Sequence, residues 1–243
     1  MLTKCLPRLL PVITDIVNRS LDEAFIPKSL KTALIIPLLK KTNLNTEDFK
    51  NFRPVSNLPF ISKLIEKSVA VQLVQYIEDN NLDEKLQSAY KKLHSTETAL
   101  LRVQDDILRA VDRGCTVVLL LLDLSAAFDT VDHGLLLHRL NTRFGIKDKV
   151  LAWFKSYLTD RSLFVRINGS NSSQSNLKFG VLQGSVLGPI LYLLYTSPLG
   201  DIIRRHDMNF HFYADDCQIY FSFDSVSYDT ITRIEACLQD IAT

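Results

Sequence analysis

Two adjacent carboxylates interrupt the most strand-like segment of this sequence. The segment FHFYADDCQIYF, residues 210–221, is otherwise apolar and aromatic, which is typical of a half-buried sheet. Asp215 and Asp216 stand in its middle, although aspartate is depleted in strands and an ionised carboxylate is rarely buried without a partner. An exposed turn explains such a pair when it is taken alone, because aspartate is common in turns.

A third carboxylate changes that interpretation. Asp123 ends the apolar run at 117–122, which predicts a strand covered on both faces. If this strand and the hairpin with its tip at 214–216 are neighbours in one sheet, the carboxylates Asp123, Asp215 and Asp216 converge at one edge. Such a cluster raises the pKa of its own members unless a cation is bound. Oxygen ligands without histidine or cysteine favour a hard ion, so we predict a site for Mg²⁺ or Mn²⁺.

The elements that must position these carboxylates follow from apolar periodicity and turn residues. The predicted elements are a strand at 33–38 broken by Pro37, helices at about 61–73, 98–113, 135–144 and 149–158, a hairpin of two alternating strands within 162–181, a helix beginning near Pro189, and a helix at 228–241. The residues expected to face inward on the second and last of these helices are Leu100, Val103, Ile107 and Val111, and Ile231, Ile234, Leu238 and Ile241. The order fits an antiparallel sheet with helices packed on one face, an α+β fold.

Composition narrows the class of protein without naming a function. The 243 residues, 47% hydrophobic and 23% charged, suit a folded protein of one large domain or two small ones. A net charge of +1 neither indicates nor excludes a nucleic-acid partner, because local patches matter more. The cysteines form no C-x-x-C pair, the longest apolar run is too short for a membrane, and the first residues lack a signal-peptide layout. We therefore expect an intracellular protein, nuclear or cytoplasmic, without a membrane partner.

Five motifs in this sequence together resemble one family. The segment at 213–216 looks like the Y-x-D-D signature of reverse transcriptases, and LLDLSAAFDTVDH at 121–133 resembles their first carboxylate motif. The segment GVLQGSVLGPILYLLY at 180–195 resembles the Q-G-S-x-x-G-P motif between them. The segments that begin at Ile35 and at Gln87 resemble the fingers motifs of non-LTR retrotransposons. The motifs stand in the family order over about residues 30–222.

The resemblance implies a right-hand polymerase, with a fingers-type region at 1–114 and a palm at 115–243. The palm would have an antiparallel sheet with helices on one face. The thumb is expected to be missing from this chain, which makes it a reverse transcriptase core fragment. The implied activity is two-metal, RNA-directed addition of dNTPs to a primer 3′-OH, and the implied partners are an RNA template with a DNA primer. The oligomeric state is left open.

The resemblance also implies roles for individual residues. Asp123 and Asp215 would be the metal-bridging carboxylates, assisted by Asp216, and the backbone carbonyl of Leu124 would be a further ligand. Phe128 would be the steric gate beneath the sugar. The other implied nucleotide-binding residues are Arg53, Gln183, Gly184, Lys40 and Lys50.

A second interpretation belongs to a different class of protein. A truncated remnant without catalytic activity could keep the fold and bind nucleic acid or another protein. The retained motif residues argue for the enzyme, whereas the expected loss of the thumb argues for the remnant.

Overall fold

The computed structural model describes residues 2–124, 128–225 and 227–242. Its helices are α1 (Leu2–Asp22), α2 (Phe60–Asp79), α3 (Thr96–Asp112), α4 (His133–Thr142), α5 (Asp148–Leu158), α6 (Gly188–Thr196), α7 (Pro198–Arg205) and α8 (Tyr228–Ala242). Its strands are β1 (Thr32–Leu39), β2 (Phe52–Asn57), β3 (Thr116–Asp123), β4 (Ser162–Ile167), β5 (Ser170–Asn171), β6 (Ser175–Asn176), β7 (Asn209–Tyr213) and β8 (Asp216–Phe223). Two compact units account for these elements, and each is described by itself.

The first unit comprises residues 2–82 and 128–194. Its sheet has the order β2-β1-β4, with β1 antiparallel to β2 and parallel to β4, and the short strands β5 and β6 also pair with β4. One apolar cluster joins the sheet to the segment before α6 through Ala33, Ile35, Leu58 and Leu182. Helices α2, α4 and α5 bury large side chains, among them Ile65, Leu73, Leu136, Leu140, Trp153 and Phe154.

The second unit comprises residues 83–124, 195–225 and 227–242. Its sheet is antiparallel in the order β3-β8-β7. The core cluster combines residues of β7 and β8 with residues from α7, α8 and the turn before β7, and its buried members are Ile203, Met208, Phe210, Phe212, Cys217, Ile219, Phe221 and Cys237. Helices therefore cover a small antiparallel sheet in this unit, which is the α+β fold that the sequence predicts.

Most predicted elements are confirmed, but the extent of two strands differs. Pro37 lies inside β1, opposite Pro54, and does not break it. The parallel pairing of β1 with β4 stops at Ile35, so Pro37 removes no donor from that ladder. The predicted hairpin at 162–181 has one long strand only, since β5 and β6 have two residues each. The Ser- and Asn-rich segment supplies few side chains that pack on a sheet.

The apolar run before Asp123 is not covered on both faces. Leu121 in β3 is 70% exposed and Leu119 is also exposed, whereas Val118, Leu120 and Leu122 pack on the core cluster. Strand β3 lies at the edge of its three-stranded sheet. The residues of this run therefore alternate between the core and the solvent, although all of them are apolar.

Two predicted helix faces also need correction. In α3 the buried residues are Ala99, Val103 and Ala110, while Leu100 and Val111 are exposed. Val103 faces inward as predicted, whereas the neighbouring alanines Ala99 and Ala110 are buried in place of Leu100 and Val111. Among the residues predicted to face inward in α8, Ile231 is exposed, whereas Ile234 and Ile241 pack on the core cluster, as predicted.

The strands do not form one antiparallel sheet, because β4, the first strand of the predicted hairpin, lies outside the sheet of Asp123. Strand β4 pairs instead with β1 in the first unit. The predicted division into residues 1–114 and 115–243 stays a prediction. Across the described residues we find no helix with the length and apolar character needed to cross a membrane.

Candidate active site

The hairpin of β7 and β8 brings the adjacent carboxylates to its tip. Tyr213 and Asp216 are the last register partners, so Ala214 and Asp215 form a two-residue turn. Ala214 has a φ of +56°, a left-handed conformation that is unusual for a residue with a Cβ. The hairpin has this register because its alternate side chains are buried in the core cluster, among them Phe210, Phe212, Cys217 and Ile219.

The third carboxylate lies directly across the sheet from this tip. Antiparallel pairing of β3 with β8 runs from Thr116 opposite Phe223 to Asp123 opposite Asp216. Asp215 precedes Asp216 in the turn. The register therefore places all three carboxylates at one end of the β3-β8-β7 sheet, as the sequence predicts.

The electrostatics of this sheet end are those of a like-charge cluster. Partial burial raises the pKa of Asp216, and the neighbouring Asp215 and Asp123 raise it further. Asp216 and Asp123 are exposed and Asp215 is half-buried, so the cluster opens to solvent. The arrangement destabilises its own ionised form, and a bound cation would relieve the repulsion.

The donor chemistry of the cluster fits a hard divalent ion. Carboxylate oxygens are the ligands that Mg²⁺ and Mn²⁺ prefer, and the half-buried Leu124 adds a backbone carbonyl directly after Asp123. Within the described ranges, no group of three His, Cys, Asp or Glu side chains already has the spacing of a metal centre. Support for a divalent ion in this cluster therefore comes from the strand register and the type of donor atom. The identity of the ligands stays a prediction.

The Gln183–Gly184 segment is fixed against strand β2 in the first unit. Ser56 donates its backbone N–H to the carbonyl oxygen of Gln183 at 2.8 Å. Gly184 has a φ of +109°, and a Cβ at this position would lie 2.6 Å from the carbonyl oxygen of Ser56. Only glycine fits this close approach, which explains the residue type after Gln183.

A buried carboxylate that the sequence does not reveal as functional supports the same segment. Glu66 in α2 is 0% exposed and accepts from the backbone N–H groups of Val186 at 2.5 Å and Leu187 at 3.3 Å. Burial raises the pKa of Glu66, and these hydrogen bonds oppose that shift. Glu66 therefore binds the turn that leads from Gln183 into α6. The sequence feature that could have indicated this role is a glutamate directly after Ile65 on an apolar helix face.

Phe128 is held in the first unit by backbone and ring contacts. Val181 donates its backbone N–H to the carbonyl oxygen of Phe128 at 2.7 Å, and the ring stacks on Tyr192 with centroids 4.8 Å apart. A Cβ on Gly180 would lie 2.9 Å from the carbonyl oxygen of Phe128. The half-buried ring of Phe128 thus has a defined support. Its position relative to a sugar stays a prediction.

The predicted phosphate-binding cations lie around the connection between β1 and β2. Arg53 is opposite Leu38 in the register, and the backbone N–H of Lys40 donates to the carbonyl oxygen of Asn51 at 2.8 Å. Lys50 directly precedes Asn51, and its N–H donates to the Asp48 carboxylate at 3.0 Å. All three cationic side chains are exposed. The first unit thus gathers Arg53, Lys40 and Lys50 at one end of a strand pair, while the second unit gathers the carboxylates.

Comparison with known proteins identifies the family of this arrangement. The family described as "Reverse transcriptase (RNA-dependent DNA polymerase)" matches residues 39–242. The probable RNA-directed DNA polymerase from transposon X-element of Drosophila melanogaster is 34% identical over 224 residues, which cover 90% of this chain and 24% of that protein. The RNA-directed DNA polymerase from mobile element jockey of the same species is 31% identical over 90% of this chain and 25% of its own length.

Solved structures support the fold. The telomerase of Candida albicans, solved in complex with a fragment of telomeric RNA, superposes with a TM-score of 0.62 at 12% identity. The match covers 86% of this chain and 40% of the telomerase chain. At this identity the likeness shows a shared fold. The chain spans about a quarter of the length of the two transposon proteins.

Proposed function

Because the chain belongs to the reverse transcriptase family, we propose that it is the catalytic core of an RNA-directed DNA polymerase of non-LTR retrotransposon type. It would add deoxynucleotides from dNTPs to the 3′-OH of a DNA primer paired with an RNA template. The observation that carries this proposal is the register that sets Asp123 opposite Asp216, with Asp215 in the adjoining turn.

The carboxylates Asp123, Asp215 and Asp216 would hold the divalent ions, together with the carbonyl oxygen of Leu124. Mg²⁺ or Mn²⁺, when bound, supplies activation of the primer hydroxyl and charge stabilisation on the leaving pyrophosphate. Asp215 is the half-buried member, and its place in a two-residue turn limits the directions that its carboxylate can take. The contribution of the protein would then be to hold the positive charge of the ions in a fixed place beside the reacting phosphate.

Residues of the first unit would bind the nucleotide. Arg53 suits the triphosphate because a guanidinium pairs with two phosphate oxygens at once, and Lys40 and Lys50 add positive charge. Gln183 and Gly184 would border the nucleotide and the template. The support for Arg53, Gln183 and Gly184 is their place in the family motifs, while Lys40 and Lys50 are candidate helpers that the sequence does not rank.

Phe128 would exclude ribonucleotides. An apolar ring beneath the sugar crowds a 2′-OH and offers it no hydrogen-bond partner. The ring is held by Tyr192, so it has little freedom to withdraw.

The test is a primer-extension assay with residues 1–243, a 5′-labelled DNA primer on an RNA template, and all four dNTPs. We expect extension that requires Mg²⁺ or Mn²⁺ and stops when EDTA is added. Binding of the primer-template without any extension, at all metal concentrations, would contradict the proposal and favour a remnant that only binds nucleic acid.

A further inference from the structure

A segment outside the carboxylate motifs pairs with the free edge of strand β7. This segment, which we call the edge segment, comprises residues 86–89. Phe212 donates its backbone N–H to the carbonyl oxygen of Leu86 at 2.8 Å, and Ser88 donates its own N–H to the carbonyl oxygen of Phe212 at 3.0 Å. Ser88 also hydrogen-bonds the His211 ring at 2.8 Å through its hydroxyl. The edge segment therefore follows the hairpin as a short parallel extension of the sheet.

The side chain of Gln87 continues from this pairing to the turn of the hairpin. Its Oε1 accepts from the backbone N–H of Ala214 at 3.1 Å and from that of Ala89 at 2.8 Å. Its Nε2 donates to the carbonyl oxygen of Ala214 at 3.4 Å, a long and weaker contact. Gln87 is 5% exposed, so these bonds form in a site from which water is largely excluded.

Ala214 is the residue of this turn that needs an external restraint. Its left-handed φ is unfavourable for a residue with a Cβ, and the next residue is Asp215. A change in the Ala214 dihedral angles would redirect the Asp215 carboxylate. An amide side chain is suited to hold Ala214, since it offers an acceptor and a donor to the N–H and C=O groups of one residue.

From these contacts we propose that Gln87 is a positioning residue, which locks the Ala214 turn and so aims the Asp215 carboxylate at the metal ions. Gln87 touches neither substrate nor metal in this account. The inference rests on the proposed function, because it assumes that Asp215 is a ligand.

The alternative is that Gln87 only satisfies a buried site and has no influence on the carboxylate. Gln87→Met tests this, because methionine has a similar volume and cannot make the three hydrogen bonds. Gln104→Met, at an exposed position of α3 in the same unit, is the matched control. Gln87→Asn is a second variant that keeps the amide but is one methylene too short to reach Ala214.

Two measurements on the full chain separate the alternatives. The first is hydrogen exchange at the Ala214 amide, which we expect to be at least about tenfold faster in Gln87→Met and Gln87→Asn and unchanged in Gln104→Met. The second is Mn²⁺ affinity, measured with MnCl₂ alone by electron paramagnetic resonance. We expect the Kd for Mn²⁺ to rise about three- to tenfold in both Gln87 variants.

A rescue experiment addresses the turn itself. Glycine adopts a positive φ without a Cβ penalty, so Ala214→Gly should restore at least half of the Mn²⁺ affinity that Gln87→Met loses. A role confined to packing of the Gln87 side chain predicts no such rescue.

Three results would overturn the inference. They are unchanged exchange at Ala214 in the Gln87 variants, faster exchange with an unchanged Kd for Mn²⁺, and absence of rescue by glycine. Failure of the proposed function is recognised separately through Asp215→Asn. If this variant binds Mn²⁺ as the parent does, the metal assignment itself is wrong, and the inference falls with it.

Discussion

At the residue scale, the carboxylate cluster opposes the stability of the fold. Burial, Asp215 and Asp123 all raise the pKa of Asp216 in the folded chain, so the protonated form is favoured by folding. The stability that this protonation provides is lost as the pH rises through the folded-state pKa of Asp216. Repulsion between the carboxylates does not stabilise the fold, whereas a divalent ion needs carboxylate ligands that lie close together.

The first prediction concerns this repulsion. In EDTA at pH 7, Asp216→Asn should raise the Tm by about 1–2 °C, because like charges opposite each other on a sheet cost about 0.5 kcal/mol when exposed. The gain should shrink as the pH is lowered from 7 to 4, because a raised pKa makes the parent carboxylate increasingly protonated. Thermal melts across this pH range provide the measurement. Asp207→Asn, at an exposed turn, is the control, and an equal gain in that control would argue against repulsion within the cluster.

The second prediction concerns the sugar that the enzyme accepts. Phe128→Val should lower the ratio of kcat/KM for dNTP to that for rNTP by about tenfold, since a buried unpaired hydroxyl costs about 1–3 kcal/mol. The contact with Tyr192 means that the variant also loses packing, which should reduce activity with both sugars. The ratio separates the two effects. Phe179→Val, an exposed phenylalanine in the same unit, is the control, and an unchanged ratio in Phe128→Val would remove Phe128 from the nucleotide site.

At the element scale, the hairpin of β7 and β8 could be predicted because aromatic alternation and an aspartate turn specify it locally. Its pairing with β3 could be expected from the carboxylates that the two elements carry. The exposed face of β3 could not be read from the sequence, because Leu119 and Leu121 are as apolar as their buried neighbours. Nor could the parallel pairing of β1 with β4, since these strands are more than 120 residues apart and their pairing depends on tertiary packing.

The supporting contacts of the site were likewise beyond sequence reasoning. Glu66 and Gln87 act through backbone groups of residues about 120 or more positions away, and a backbone acceptor or donor leaves no mark on residue type. Glycine is the exception, because a close approach of two backbones restricts the residue type directly.

The third prediction uses that restriction at Gly184. Gly184→Ala places a Cβ against the carbonyl oxygen of Ser56 and should lower the free energy of unfolding by about 2 kcal/mol or more. It should also raise the KM for dNTP, because Gln183 is displaced from β2. Gly169→Ala has a comparable positive φ but nothing within 4 Å of the added Cβ, so it isolates the backbone strain. Equal losses in chemical denaturation of the two variants would contradict the account of this contact.

At the scale of the whole molecule, the net charge of +1 provides no general attraction to nucleic acid. If the proposed function is right, binding of the primer-template depends on local cations that contact phosphates. Arg53, Lys40 and Lys50 are candidates for such cations, because they lie at one end of a strand pair and their side chains are exposed.

The fourth prediction concerns this dependence. The affinity of residues 1–243 for an RNA–DNA hybrid should be weak and should fall steeply with salt. The slope of log Kobs against log[salt] should be about −3 or more negative. Fluorescence anisotropy with a labelled hybrid from 50 to 300 mM KCl measures the slope, and circular dichroism at the same concentrations controls for unfolding. Tight binding that does not change with salt would contradict a mode of binding based on phosphate contacts.

We propose that the carboxylates at the end of the β3-β8-β7 sheet hold the metal ions for DNA synthesis on an RNA template. The most direct measurement is single-nucleotide extension of a DNA primer on an RNA template in Mg²⁺, with the parent chain, Asp215→Asn and the control Asp207→Asn. Asparagine keeps the shape of the side chain and removes its charge, so the circular dichroism spectrum should be unchanged. We predict extension by the parent and by Asp207→Asn, and a loss of at least about a thousandfold in Asp215→Asn. Extension by Asp215→Asn at a rate near that of the parent would contradict the account.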